Sequence, residues 1–453
     1  MAGRAQWRGQ WSFILAAAGA AIGLGNIWKF PYMAGDNGGG AFVLVYLICV
    51  VLIGLPVVAA EILIGRRAHQ NPMDALANVA QESGRTRRWH LLGWWGLAGL
   101  WVTLSFYSVV AGWSIFYLFH NLFAFQAGQS AQGVTLVWQH FIAHPGWLLL
   151  NHSIFVALTL WVVAKGVEKG LERASLIMMP ILFVLLFVLV GFAAWTTGPA
   201  FAKAAHFLFD FRFQQITGTV IIDALGHAFF TLAIGVGAML MYGSYLPKQI
   251  SIGRSIAYTA LLDVLVALLA GLAIFPILFA HHIAPSQGPG LMFVALPIIF
   301  AKLTGGQWVG SLFFLLLLFA AWTSSINIAE PLVASLYEKT RLTRVQASWL
   351  VGIATWLLGI VSVLSFNVWQ HVHVAGFGLF TLITDLSTNI FLPIGGIFYA
   401  VFVGWMMHKR FTRDELNFHC AGLYTLWRFL VRYVAPLGIF VVFVLALLPG
   451  FHL

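Results

Sequence analysis

The sequence predicts an all-α polytopic membrane protein. It is expected to form a five-plus-five inverted repeat with an eleventh helix appended, its first and sixth helices unwound near the middle of the bilayer. Three observations predict this. The 453 residues are 61% hydrophobic and only 8% charged, whereas soluble domains carry about 25% charged residues. Apolar runs long enough for a helix to cross a bilayer, roughly 20 residues, recur along the whole chain and favour a helical bundle over a barrel. A glycine-bearing motif in the first run returns in the sixth.

Eleven spans are expected, near 11–34, 40–64, 91–124, 147–164, 171–195, 220–245, 254–280, 306–337, 345–365, 375–407 and 429–450. Several are longer than a crossing requires, which implies tilt or breaks. The first contains LAAAGA, which superficially resembles a signal-peptide end, but its apolar run continues, so a retained helix is expected. No loop is long enough for a soluble domain. Residues 1–453 are therefore expected to form a single transmembrane domain, with repeat one near 11–195, repeat two near 220–407 and the extra helix near 429–450. The loops around 125–146, 196–219 and 281–305 are the longest expected on the outer side.

The net charge of +10 points to basic loops on one side of the membrane rather than to a nucleic-acid partner. With the N-terminus inside, only Lys29, Lys203, Arg212 and Lys302 of the 24 basic residues fall on the outer side. That asymmetry predicts a multi-pass protein of the cell's inner (plasma) membrane, N-terminus cytoplasmic and C-terminus outside. Cys49 and Cys420 offer neither a disulfide framework nor metal spacing.

Residues 21–26 read AIGLGN and residues 233–238 read AIGVGA. The two segments lie five spans apart, an odd step, so their helices run in opposite directions, as in an inverted repeat. Each glycine in a helix costs about 1 kcal/mol against alanine and invites unwinding. Unwound backbone at membrane depth is tolerated only when buried in protein or lining a wet cavity. Its free carbonyls suit cations and its half-helix N-termini suit an anion. These features predict a small zwitterion and alkali cations bound together. GLG without GxGxxG spacing or a preceding strand is no nucleotide loop.

Glu61, Asp263, Glu330 and Asp385 fall inside spans, and Asp223 opens the sixth; acids so placed are functional candidates. Glu61 reads as an acceptor for the orphan N–H groups of unwound backbone. Asp263, in LLDVLVALLAG, needs a cation, a proton or buried donors. The hydroxyls of AAWTSSIN (320–327) either bond back to their own helix or ligate an alkali ion. Tyr107 is an interior aromatic or a carboxylate donor, and His227 a hydrogen-bonded interior residue. No catalytic constellation and no organic cofactor motif can be assembled.

GAAIGLGNIWKFPYMAGDNGGGAF (19–42), LPVVAAEILIGRR (55–67), FFTLAIGVGAMLMYGSY (229–245) and FAAWTSSINIAEP (319–331) closely resemble motifs of the neurotransmitter:sodium symporters. The resemblance runs essentially end to end and stops after eleven helices, as in bacterial amino-acid transporters of the LeuT type, whose fold illustrates broken helices and inverted repeats.

That resemblance implies two sodium sites. The first would use Asn26, the Ala21 carbonyl, Thr231 and Asp263. The second would use carbonyls of Gly19, Ile22 and Ala320 with the hydroxyls of Thr323 and Ser324. It implies that amides near Gly23 and Gly25 and the Tyr107 hydroxyl meet a substrate carboxylate, while carbonyls of Ala21, Phe230 and Thr231 meet the ammonium. Thr103, Ala233, Val236, Ser325 and Ile328 would hold the side chain. Monoamine-transporting relatives have aspartate where Gly23 stands, so a neutral α-amino acid is implied, and an apolar pocket with Val236 where some relatives have Phe implies a bulky hydrophobic or aromatic side chain. Asp263 would stand in for chloride. Phe230 over Tyr107, and Lys29 with Asp385, resemble an outer gate. Arg4, Trp7, Tyr245 and Glu338 resemble an inner one. Gly170 and Pro180 resemble a motif tied to unwinding of the fifth helix.

The expected function is sodium-coupled secondary active symport by alternating access, with the amino acid and the lipid bilayer as partners and no nucleic acid. A sodium-dependent amino-acid sensor or a channel-like member without coupled transport is the rival reading. An enzyme is disfavoured by the missing catalytic residues.

Overall fold

The structure, a computed structural model, describes residues 5–283, 290–418 and 420–446. Among these, nine continuous helices are long and apolar enough to cross a membrane, and the bent pair Gln10–Ala21 and Gly25–Asp36 makes a tenth. The sixth expected span is split into Gly218–Thr231 and Ala238–Ser244, with residues 232–237 non-helical between them. Both glycine motifs thus sit at breaks.

Several expected boundaries change. A two-stranded hairpin, His373–Val374 with Phe377–Gly378, precedes the tenth span, which begins at Leu379 rather than 375. Gly376 at its turn has a φ of 87° and Ala375 one of 52°, so the chain reverses where the apolar count alone continued the helix. The eleventh helix starts at Ala421, and residues 447–450 of its expected range lie outside the described residues. The long loops around 125–146 and 196–219 fold into the helices Ala131–Ala143 and Pro199–Phe209.

Prolines shape several spans. Pro31, Pro56, Pro297 and Pro393 each follow a wide helical turn, at Gly25–Lys29, Val50–Gly54, Leu291–Ala295 and Leu386–Phe391. Proline has no N–H for the carbonyl four residues earlier, and a wider turn absorbs the loss. At Pro297 the released carbonyl is that of Phe293, and the buried Tyr117 hydroxyl donates to it at 2.5 Å.

Of the nine continuous spans the most interior are the eighth, 78% buried over its apolar window, and the third, 72% buried; the eleventh, at 28%, is peripheral. The two broken helices meet the third and eighth, so the breaks open into the middle of the bundle. The fifth span runs Val167–Thr197 as one helix, with a wide turn at Val167–Glu172 that contains Gly170, and with Pro180 inside it. Between Gly170 and Pro180 the chain is helical.

Candidate substrate and cation sites

At the first break, Ile22 leaves helical geometry with a ψ of 102°, and the following half-helix restarts on the Gly23 carbonyl, which accepts from the Asn26 amide at 3.2 Å. At the second, Ala233, Gly235 and Gly237 have φ of 50°, 94° and 72°. The left-handed region is open to glycine and strained for alanine, so two glycines in three left-handed positions make the break. Glu61, fully buried, accepts from the Gly235 amide at 2.7 Å. The amides of Gly237, Met239 and Leu240 are also directed at its carboxylate. It serves the orphan N–H groups of the second half-helix.

A first polar cluster joins the two breaks to the seventh span. The Asn26 amide donates to Asp263 Oδ1 at 2.7 Å and to the Asp263 carbonyl at 3.1 Å. The Thr231 hydroxyl donates to Asp263 Oδ1 at 3.0 Å and lies 3.2 Å from Asn26 Oδ1. Tyr46, which sequence reasoning missed inside the apolar run of the second span, donates to Asp263 Oδ2 at 3.0 Å. All four are buried.

A second cluster centres on Ser324, whose hydroxyl lies 3.2 Å from the Gly19 carbonyl, 3.0 Å from that of Ile22 and 3.2 Å from that of Ala320. The Thr323 hydroxyl bonds back to Phe319 and Ala320, and its Cβ packs beside Gly19. Among the described residues no three His, Cys, Asp or Glu side chains gather into a metal-binding group. The first cluster offers one carboxylate amid neutral oxygens and the second only neutral oxygens. Such donor sets fit monovalent hard cations better than calcium, which takes 6–8 oxygens, often from several carboxylates.

Between the clusters lies a cavity of about 50 Å³. It brings together Ala21, Gly23, Gly25, Thr103, Tyr107, Phe230, Thr231, Ala233, Val236, Ser324 and Ile328, joined by Ala20, Leu100, Ser387 and Leu392. Apart from Ala20, next to the glycine motif, these last lie on the third and tenth spans, in segments that carry no motif. Ser325 is a correction. Its hydroxyl bonds to the Trp322 carbonyl and to Thr159 Oγ1 at 2.8 Å, and it does not line the cavity. One residue turns an α-helix by about 100°, so when Ser324 and Ile328 face the cavity, Ser325 faces the fourth span.

Gly23 and Gly25, expected to bring the carboxylate-binding amides, both line the cavity. The Gly23 amide donates to Asn26 Oδ1 at 3.1 Å, and the Leu24 amide faces the Tyr107 hydroxyl at 3.4 Å. A Cβ at Gly23 would lie 2.5 Å from Ser324 Oγ and 3.0 Å from the Tyr107 oxygen, so no side chain fits there without displacing Ser324 and Tyr107. Replacing Ser324 by Ala removes the hydroxyl that joins three carbonyls. At about 1–3 kcal/mol for such a loss, sodium titration of substrate binding should shift roughly tenfold. S325A should shift the same titration less than about twofold, because its hydroxyl serves the fourth span.

On one side of the cavity Phe230 carries the Lys29 ammonium 5.0 Å from its ring centre, and Asp223 and Asp385 are the acids whose fields reach Lys29. Among the described residues His227 has no hydrogen-bond partner on either ring nitrogen. It packs between Phe30, Phe42 and Tyr46, with ring centres 5.2–5.9 Å away, and this corrects the expectation of a hydrogen-bonded residue: the faces packed against it are aromatic.

Towards the N-terminus, buried Trp7 donates its backbone amide to the Tyr245 carbonyl and its indole N–H to the Tyr242 carbonyl, both at 3.0 Å. The Tyr245 hydroxyl donates to Glu330 Oε1 at 2.7 Å, and Arg344 pairs with the same carboxylate. Glu338 accepts from the Asn71 amides at 3.1 Å. Arg4 lies outside the described residues. Nearby, partial burial works to raise the Asp74 carboxyl, but Lys339 and Asn71 outweigh it and hold it below the usual carboxylate range.

Two helices broken at mid-length, with buried oxygen clusters on either side of a small central cavity, are the architecture of a membrane carrier. The profile of the Sodium:neurotransmitter symporter family matches residues 4–132 and 130–449. The chain is 40% identical over 442 residues to the uncharacterized sodium-dependent transporter YhdH of Bacillus subtilis, covering 97% of this chain and 96% of that protein. It is 23% identical over 515 residues to the sodium-dependent nutrient amino acid transporter 1 of Drosophila willistoni, covering 97% and 77%. The crystal structure of MhsT in complex with L-phenylalanine superposes with a TM-score of 0.88 at 40% identity, covering 98% of this chain and 99% of that one. The protein belongs to the Sodium:neurotransmitter symporter family and has the LeuT fold of MhsT, a multi-pass membrane transporter.

Proposed function

We propose that this protein is a sodium-coupled symporter of neutral α-amino acids with bulky apolar or aromatic side chains, working by alternating access without chloride. The observation that carries this reading is the shared position of Asn26, Thr231 and Asp263 at the edge of a cavity walled by both broken helices. One sodium would sit among Asn26, Thr231, Asp263 and the Ala21 carbonyl. A second would sit among the carbonyls of Gly19, Ile22 and Ala320 and the hydroxyls of Thr323 and Ser324. The substrate carboxylate would face Tyr107, the amides near Leu24 and Gly25, and the first sodium, while its ammonium meets carbonyls of Ala21, Phe230 and Thr231. Because ion and carboxylate would share contacts, each raises the affinity for the other by the same factor. The apolar walls given by Leu100, Val236, Ile328 and Leu392 support a hydrophobic side chain, as does the phenylalanine in MhsT. The Asp263 carboxylate already supplies the negative charge that chloride would bring. Lys29 with Asp385, and Phe230 over Tyr107, would close one side, and Trp7, Tyr245 and Glu338 the other. The charge asymmetry supports a cytoplasmic N-terminus.

The test is uptake into proteoliposomes with imposed gradients. An inward sodium gradient should drive labelled phenylalanine or leucine above equilibrium, with unlabelled bulky apolar amino acids competing better than glycine, aspartate or lysine. Accumulation indifferent to sodium would refute symport, and preference for glycine or a charged amino acid would refute the substrate class.

A further inference from the structure

We propose that the Arg- and Lys-rich end of the bundle carries a binding site for one anionic phospholipid, formed between the short helix Lys409–Leu416 and the eleventh helix. A cavity of about 890 Å³ opens there, within the ~300–1,000 Å³ range of ligand pockets. Lys409, Arg410, Arg413, Arg428 and Arg432 line it, against the single carboxylate of Asp414. Five like charges around one space repel each other until an anion enters.

The cluster is held in place by the fold. Glu415, buried on the opposite face of the short helix, pairs with Arg66 at 2.8 Å and with Arg67 at 3.7 Å. That latch to the second span turns Lys409, Arg410 and Arg413 outward. From the eleventh helix, Arg428 donates to the Thr412 and Tyr424 hydroxyls and to the Gly404 carbonyl at 3.3, 3.4 and 3.2 Å, which fixes its guanidinium at the wall of the cavity. Arg432 also lies 3.9 Å over the Trp405 ring, the aromatic contact typical of a membrane–water interface.

The occupant has an apolar part as well. Phe429 and Tyr433 line the cavity and continue along the eleventh helix into Leu437 and Phe440, all four exposed. Spacings of 4, 4 and 3 residues put them in one stripe. Guanidinium groups at one end of a lipid-facing apolar stripe match a phosphate headgroup with its acyl chains, rather than a free anion. Basic pockets at this level of membrane proteins take anionic headgroups. Neither the cation clusters nor the central cavity shares a residue with this site.

The experiment is native mass spectrometry of the full-length protein in detergent, titrated with phosphatidylglycerol, phosphatidylcholine or sn-glycerol 3-phosphate. Phosphatidylglycerol should be retained at concentrations where phosphatidylcholine is lost. K409Q/R413Q should weaken phosphatidylglycerol about 30-fold, from roughly fivefold per basic residue, and leave phosphatidylcholine unchanged. R410Q alone, should the double variant not fold, is expected to weaken it about fivefold. Sodium-dependent substrate binding checks the fold of each variant. Equal retention of the two lipids, unchanged affinity in the variants, or displacement by sn-glycerol 3-phosphate at equal concentration would each overturn the proposal.

Discussion

D263A is expected to abolish sodium-dependent substrate binding. The Asp263 carboxylate accepts from Asn26, Thr231 and Tyr46 at 2.7, 3.0 and 3.0 Å, and it is the one acid of the first cluster. Alanine leaves three buried donors without their acceptor, at about 1–3 kcal/mol each, and removes the charge that would face the proposed cation. Affinity for sodium should fall by two orders of magnitude or more, since each 1.4 kcal/mol is about tenfold. D263N separates the two effects, because it keeps the shape and removes the charge. The Tyr46 and Thr231 hydroxyls and the Asn26 amide then face a neutral group, and chloride becomes the available counter-charge. D263N is therefore expected to regain part of its sodium-dependent binding when gluconate is replaced by chloride. Isothermal titration of sodium in the two salts measures this. Wild-type-like sodium affinity in D263A would remove Asp263 from the ion site.

The second large effect belongs to Glu61. It is buried at the junction of the second span with the unwound segment of the sixth, accepting from the Gly235 amide. A Cβ on Gly235 would overlap the Leu392 carbonyl, so the segment is wedged between Glu61 and the tenth span. E61Q presents an amide where acceptors are needed. Leaving one or two buried backbone donors unsatisfied costs about 2–4 kcal/mol. The thermal midpoint in detergent should fall by several degrees, and substrate should restore less of it than in the wild type, because the loosened segment carries Ala233 and Val236 of the cavity. An E61Q midpoint equal to that of the wild type would show that water, rather than this carboxylate, satisfies the break.

Much of the site was legible in the chain because it is written in residues whose local chemistry is conspicuous. Gly23 and Gly25 inside an apolar run, the echo at Gly235 and Gly237, a lone Asp263 and the hydroxyls of 323–325 each break the rules of a plain membrane helix. The less legible part depended on direction. Ser324 and Ser325 are adjacent and chemically identical, yet one faces the cavity and the other Thr159. Tyr46 and Leu392 look like ordinary span residues until a distant helix is placed against them. Glu330 was visible as a buried acid, but Tyr245 and Arg344 as its partners were not.

The sequence by itself determined where the two helices break and which residue types wait there, because glycine's missing Cβ and proline's missing N–H act within one turn of chain. Only the tertiary structure decided which side chain of each turn faces the cavity, and that Asn26, Thr231 and Asp263 meet. Those contacts join three separate spans, and the packing that aligns them depends on every helix between.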